Sequence, residues 1–311
     1  MGADWGNVSD ADALDVLHAA HDAGVTFYDT ADVYGDGRSE QRIAQFKHDL
    51  GSDADGIMVA TKVGRRANPF TANSYTETAL RSWVDRSRRN LQMDTLDLVQ
   101  LHCPPPAVYG FHAIFDVLDT LRHEGAIAGY GVSVETCGEA LAAIARPGVV
   151  SVQIILNAFR LKPLDEVLPA ALAAGVAIIA RVPLASGLLS GKYSSATTFA
   201  ADDHRNYNRK GASFDVGETF SGVDYDTGLA AVAALSAALE VDGGPAHSMP
   251  AAALRWIIDQ PAVTTVIPGA RNAEQAQRNA QSALTDLPTG FDDAVHRVYD
   301  EMLRDSVHRR W

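Results

Sequence analysis

The sequence predicts an α/β chain that folds as a parallel barrel of the (β/α)8 class, one domain spanning residues 1–311. Apolar runs of strand length alternate with amphipathic helical stretches along most of the chain, which favours repeated parallel β–α units. Several runs stop on a polar residue: 25–28 gives way to Asp29, IMVATK ends on Lys62, LDLVQLH on His102 and AGYGVS on Ser133. In a parallel barrel the carboxyl ends of all strands open on one face, so these side chains converge despite their separation. No GxGxxG opens a strand–helix turn, which argues against a doubly wound dinucleotide-binding sheet.

Taken in order, Ser9 caps a helix in DADALDVLHAAHDAG, with acids crowding its start and Gly24 closing it. His18 and His21 lie on it without an acidic or Cys partner at ligand spacing, so they read as surface residues and no metal is expected. A strand over 25–28, a Gly-rich loop, a helix over 39–50 and a strand over 57–62 follow. The helix over 76–92 carries Glu77 near its start, where the helix dipole favours an acid. Next come a strand over 96–102, the proline brake 104–106, a helix over 113–124 and a strand over 128–133. The alternation continues with helices over 139–145 and 164–174 and strands over 149–154 and 176–181.

Residues 187–250 interrupt the pattern with DHRNYNRKGASFDVGETFSGVDY, polar and Gly-containing with interspersed aromatics. A loop of that length inside a compact domain reads as a lid over the barrel mouth. A helix over 251–260 and a last strand over 263–267 complete the count at seven strands. A closed barrel of this type has eight.

The composition bounds the function. A 47% hydrophobic content suffices for a sizeable core, and 39 acidic against 26 basic residues give a formal charge of −13. Such a charge repels nucleic acid and anionic membrane. No apolar run approaches the roughly 20 residues that span a bilayer. Cys103 and Cys137 fall in different elements without CxxC spacing, and no secretory leader is visible, which points to a reduced cytoplasm.

Asp29, Tyr34, Lys62 and His102, in this order and each at or just after a strand end, resemble the catalytic tetrad of the aldo-keto reductases. With DTADVYGDGRSE and IPGARNAEQAQRN, the resemblance covers residues 2–279. It implies a TIM barrel that uses NADPH to reduce a small-molecule aldehyde or ketone. The residue types suit that chemistry. Hydride transfer builds negative charge on the carbonyl oxygen, and a proton donor must meet it. A free tyrosine, with a pKa of about 10, is a sluggish donor near neutrality, and a neighbouring ammonium lowers that value. The expected roles are Tyr34 as general acid, Lys62 as its activator, Asp29 as the partner that aims Lys62, and His102 as substrate polariser.

The resemblance also implies a cofactor site. Gly269, Arg271, Gln275 and Asn279 would hold the adenosine end, with Arg271 facing a 2′-phosphate; a helix start plus a guanidinium suits phosphate. Ser133, Gln153 and Asn157 would surround the carboxamide, to which Gln and Asn offer donor and acceptor. Leu184, Ser186, Gly187 and Leu189 would follow the pyrophosphate. Arg181 stands where many family members place an aromatic ring against the nicotinamide; it either stacks there or is rotated away. Trp5, Tyr207, Phe214 and Phe220 either shape the substrate pocket or pack the lid.

The family comparison further puts Met1 and Gly2 at the end of the first strand, so that strand and the hairpin before it are absent from this sequence. A start site that falls too late, a gap filled by another chain, and a repacked barrel each explain this; the first is the expectation. Two other readings stand beside the enzyme: a nicotinamide-binding sensor resembling potassium-channel β-subunits, and a shortened, inactive barrel. Oligomeric state is not legible.

Overall fold

The computed structural model describes residues 8–240 and 248–311. Strands β1 (Phe27–Asp29), β2 (Met58–Val63), β3 (Leu96–His102), β4 (Ile127–Ser133), β5 (Val149–Ile155), β6 (Ala177–Arg181) and β7 (Val263–Val266) form one parallel sheet in sequence order. The sheet curls. Ala60 from β2, Leu98 from β3 and Ile179 from β6 share one inner cluster, and Phe27 of β1 and Ile267 just after β7 pack against it. Among the described residues there are seven strands, and β1 and β7 are the sheet's edges.

The helices form the outer layer: α1 (Asp10–Asp22), α2 (Arg38–Leu50), α3 (Glu77–Leu91), α4 (His112–His123), α5 (Cys137–Ile144) and α6 (Val167–Ala174). Further along are α7 (His204–Tyr207), α8 (Tyr225–Ala238), α9 (Met249–Ile258), α10 (Ala273–Gln281), α11 (Phe291–Val298) and α12 (Arg304–Val307). Their starts follow from local chemistry. Ser9 Oγ accepts from the Asp12 amide at 3.1 Å, and Thr136 with Glu139 forms a reciprocal capping box on α5. Pro163 lies in a tight turn ahead of α6, so that helix begins later than its apolar pattern suggests. Outside the two edge strands, α1 and α10 pack together through Val16, Ala19 and Ala276.

Two readings change. Part of the stretch read as lid is a barrel helix: α8 buries Gly228, Ala231, Val232 and Leu235. His18 and His21 are half-buried, their rings edge-on to Phe46 at 5.1 and 6.1 Å. Beyond residue 279 lie α11 and α12, and Trp311 is buried. One glycine is required by packing rather than by its backbone angle: a Cβ on Gly131 would come within 2.5 Å of the Ser151 carbonyl oxygen. The β4–β5 register shifts at that point.

Behind the loop after β1 lies a strained charge. Asp32 is fully buried, and among the described residues no side chain hydrogen-bonds to its carboxylate; Arg66 Nε stands 3.6 Å away. Glu40 beside it is satisfied by Thr61 Oγ1 at 2.6 Å and Asn90 Nδ2 at 2.8 Å. Burial and the Glu40 charge push the Asp32 carboxyl up to about 7. The folded chain therefore holds this proton more tightly than the unfolded chain, which releases it near pH 4. Asp32 then stabilises the fold fully below about pH 4, and the stabilisation is lost as pH rises through about 7. We expect urea-unfolding stability to fall between these values by up to roughly 1.4 kcal/mol per pH unit from this group. Asp32→Asn should remove that slope and be the more stable form at pH 8; an unchanged slope would contradict the assignment.

Candidate active site

Asp29 ends β1, Lys62 lies one residue before the end of β2, and His102 ends β3. The parallel register pairs Asp29 with Ala60, which brings Lys62 alongside the carboxylate. Lys62 and Asp29 form an ion pair with only 1% and 10% of their side chains exposed. Lys62 Nζ also donates to the Thr30 carbonyl at 2.8 Å. The other Asp29 oxygen accepts from Gln153 Nε2 at 2.7 Å and Gln100 Nε2 at 3.3 Å. The carboxylate is thus aimed from three strands.

Tyr34 opens the sharp turn Tyr34–Gly37, in which Gly35, Asp36 and Gly37 all take positive φ. The turn brings its ring centroid to 5.3 Å from Lys62 Nζ. His102 meets the same ring edge-on, with centroids 5.8 Å apart and planes at 87°. The four residues expected to converge do so.

Their electrostatics correct one expectation. Desolvation raises the Tyr34 pKa and the Lys62 ammonium offsets only part of that, so the ligand-free phenol lies above its ordinary value. Desolvation also opposes the charge on Lys62, but Asp29 and then Tyr34 outweigh it and hold the ammonium above its usual range. Burial, with Lys62, Arg65 and Arg181, drives His102 well below its ordinary pKa. The site therefore presents a phenol, a fixed cation and a neutral imidazole whose Nδ1 has no hydrogen-bond partner among the described residues.

Arg181 is tied down by charge. Its guanidinium donates to Val134 O and Glu135 Oε2, each at 2.9 Å, and pairs with Glu218. Burial works against this cation, but Glu218 and Glu135 overcome it and hold Arg181 well above its ordinary pKa. Burial raises Glu218, whereas on Glu135 the effect of Arg181 prevails over burial and lowers it. Sequence reasoning missed both carboxylates; Glu135, two residues past the end of β4, carried the only signal, its place at the mouth.

The other expected cofactor residues fall in two groups. Ser133 pairs with His102 in register and Gln153 bonds Asp29, whereas Asn157 lies two residues past β5; the side chains of all three are engaged within the chain. Gln153 faces Asp29, and its Oε1 accepts from Ser133 Oγ at 3.4 Å. Asn157 Nδ2 donates to Val182 O at 2.9 Å and Ser221 Oγ at 2.8 Å, while its Oδ1 accepts from the Phe159 amide. Leu184 is half-buried and Leu189 fully buried against the core; Gly187 turns beside them with φ 95°. Ser186 Oγ donates to Glu218 O at 2.8 Å.

The second group is at the start of α10. Arg271 N donates to Gln275 Oε1 at 2.9 Å, and Asn279 Nδ2 to Gly269 O at 3.2 Å. Among the described residues, nothing lies within 4 Å of where a Gly269 Cβ would stand. The Arg271 side chain is exposed.

Of the aromatics, Phe220 is buried against Phe199 and Tyr225, so it packs the 187–250 stretch. Tyr207 is exposed and edge-on to a half-buried Phe214. Trp5 lies outside the described residues.

The sequence profile described as the Aldo/keto reductase family matches residues 1–299. The chain belongs to the aldo/keto reductase family. An uncharacterized oxidoreductase of Mycobacterium tuberculosis is 33% identical to this aldo/keto reductase over 314 residues, covering 96% of this chain and 88% of its own. The solved glycerol dehydrogenase AKR11B4 of Gluconobacter oxydans superposes with TM-score 0.74 at 27% identity, over 99% of this chain and 89% of its own. An aldo-keto reductase of Klebsiella pneumoniae, solved in complex with NADPH, superposes with TM-score 0.67 at 21% identity, over 96% and 89%. Family and fold agree, and this aldo/keto reductase is an oxidoreductase. No helix among its described residues is long and apolar enough to cross a membrane.

Proposed function

We propose that this chain reduces small aldehydes or ketones to alcohols with NADPH, Tyr34 delivering the proton. One observation carries the reading: Tyr34, His102 and the buried Lys62–Asp29 pair meet at the carboxyl ends of three adjacent strands. The residues present also fit a nicotinamide dinucleotide. The open backbone at Gly269, the first turn of α10 and the exposed guanidinium of Arg271 suit a phosphate-bearing adenosine. The NADPH complex of the Klebsiella relative supports the same choice.

When bound, the reduced nicotinamide supplies a hydride to the carbonyl carbon. His102, held neutral, donates a hydrogen bond to the carbonyl oxygen and orients it. As charge grows on that oxygen, the Tyr34 phenol gives up its proton, and the Lys62 ammonium stabilises the phenolate left behind. Asp29, fixed by two glutamines, keeps Lys62 charged and in place. Within the 187–250 stretch, the described residues ahead of α8 serve as the lid over this mouth.

Multiple-turnover NADPH oxidation with a panel of aldehydes and ketones tests the reading. Turnover of at least one class is expected, whereas negligible turnover with every member would point to a sensor. Arg271→Leu should weaken NADPH binding by about tenfold or more, the scale of one charge-assisted hydrogen bond, and leave NADH nearly unchanged. Titrating both cofactors by nicotinamide fluorescence checks this; tighter NADH binding by the unsubstituted chain would overturn the preference.

A further inference from the structure

Trp311 is remote from the tetrad in sequence, yet only 6% of its surface is exposed. Its indole lies 4.0 Å from the Arg160 guanidinium carbon, measured to the ring centroid. Its Nε1 donates to Asp215 Oδ1 at 3.0 Å, and the same oxygen accepts from the Gly217 amide at 2.7 Å. Two glycines make room for the ring. A Cβ on Gly217 would come within 2.8 Å of Trp311 Cζ2, and one on Gly222 would run into Cη2.

Between those glycines the chain carries groups that meet the mouth. The Glu218 side chain pairs with Arg181, and Ser186 Oγ accepts from the Phe220 amide at 3.1 Å. Ser221 Oγ accepts from Asn157. Phe220 and Ser221 hold positive φ of 53° and 56°, ahead of Gly222 at 72°. Non-glycine residues keep such angles only where their surroundings impose them. The indole, wedged between Arg160 and the two glycines, is part of those surroundings.

We propose that Trp311 is a positioning residue that clamps residues 215–222 from the far side, sets Glu218 against Arg181 and so fixes the wall of the substrate site opposite the tetrad. The clamp is a property of the ligand-free chain; only its kinetic consequence rests on the reductase reading. Two readouts separate them. In cofactor-free protein, Trp311→Ala should speed amide hydrogen exchange across residues 216–223 by about tenfold or more, with the rates in β2–β5 unchanged. Trp311→Phe, which keeps a ring without the Nε1 donor, should fall between. With carbonyl substrate, Trp311→Ala should raise KM by about tenfold while kcat changes less than about threefold, because the tetrad is undisturbed.

Unchanged exchange in 216–223, equal acceleration in every strand, or a fall in kcat at constant KM would each overturn the clamp. Should Trp311→Ala fail to fold, Asp215→Ala, which removes the acceptor shared by the indole and Gly217, faces the same criteria. Local acceleration in a protein whose parent turns over no carbonyl supports the clamp and removes the reductase reading.

Discussion

Tyr34→Phe is expected to cut carbonyl turnover by about two to four orders of magnitude, the contribution usual for a positioned general acid. The substitution keeps the ring, its edge-on contact with His102 at 5.8 Å and its place beside Lys62, so the fold and the cofactor affinity should barely change. Neither neighbour can take over the proton. Lys62 is held charged above its ordinary pKa, and His102 is neutral, so that its remaining N–H can donate a hydrogen bond but is too weak an acid to give up the proton. Because the ligand-free phenol is raised above its usual value, kcat/KM should show no alkaline limb from Tyr34 below about pH 10. Steady-state kinetics and a cofactor titration check both points; unchanged turnover would remove Tyr34 from the mechanism.

Lys62→Met carries the largest expected cost to stability. Among the described residues, it leaves the Asp29 carboxylate, 10% exposed, with only Gln153 and Gln100 to satisfy it. Removing one partner of a buried ion pair costs about 3–5 kcal/mol. Replacing both partners, as in Asp29→Asn with Lys62→Met, removes the stranded charge and should recover much of that loss. Urea unfolding of the two variants distinguishes these outcomes. A loss below about 1 kcal/mol in the single variant would mean that water reaches Asp29 freely and that the pair behaves as a surface one.

Much of this site was legible in the sequence because strand patterning and strand-end polarity are local. LDLVQLH specifies both a strand and the end at which His102 emerges, and in a parallel barrel that end is shared by Asp29 and Lys62. What escaped was held by distance. Arg181 meets Glu135 and Glu218 across 46 and 37 residues, and neither loop carries a pattern that predicts the pairing. Helix α8 escaped for another reason: TGLAAVAALSAA is apolar on nearly every face, so it lacks the polar stripe that marks a helix against a loop. The sign of the Tyr34 shift depends on how far burial outweighs one ammonium, a balance that residue types alone do not set.

The central claim is a hydride delivered to a carbonyl carbon beside Tyr34. NADPH carrying deuterium at both C4 positions, incubated with a carbonyl that the enzyme turns over, tests it directly. The account predicts one deuterium on the carbinol carbon of the product and a solvent-derived proton on its oxygen. Product alcohol without deuterium on carbon, or tight NADPH binding with no alcohol formed from any carbonyl, would contradict it.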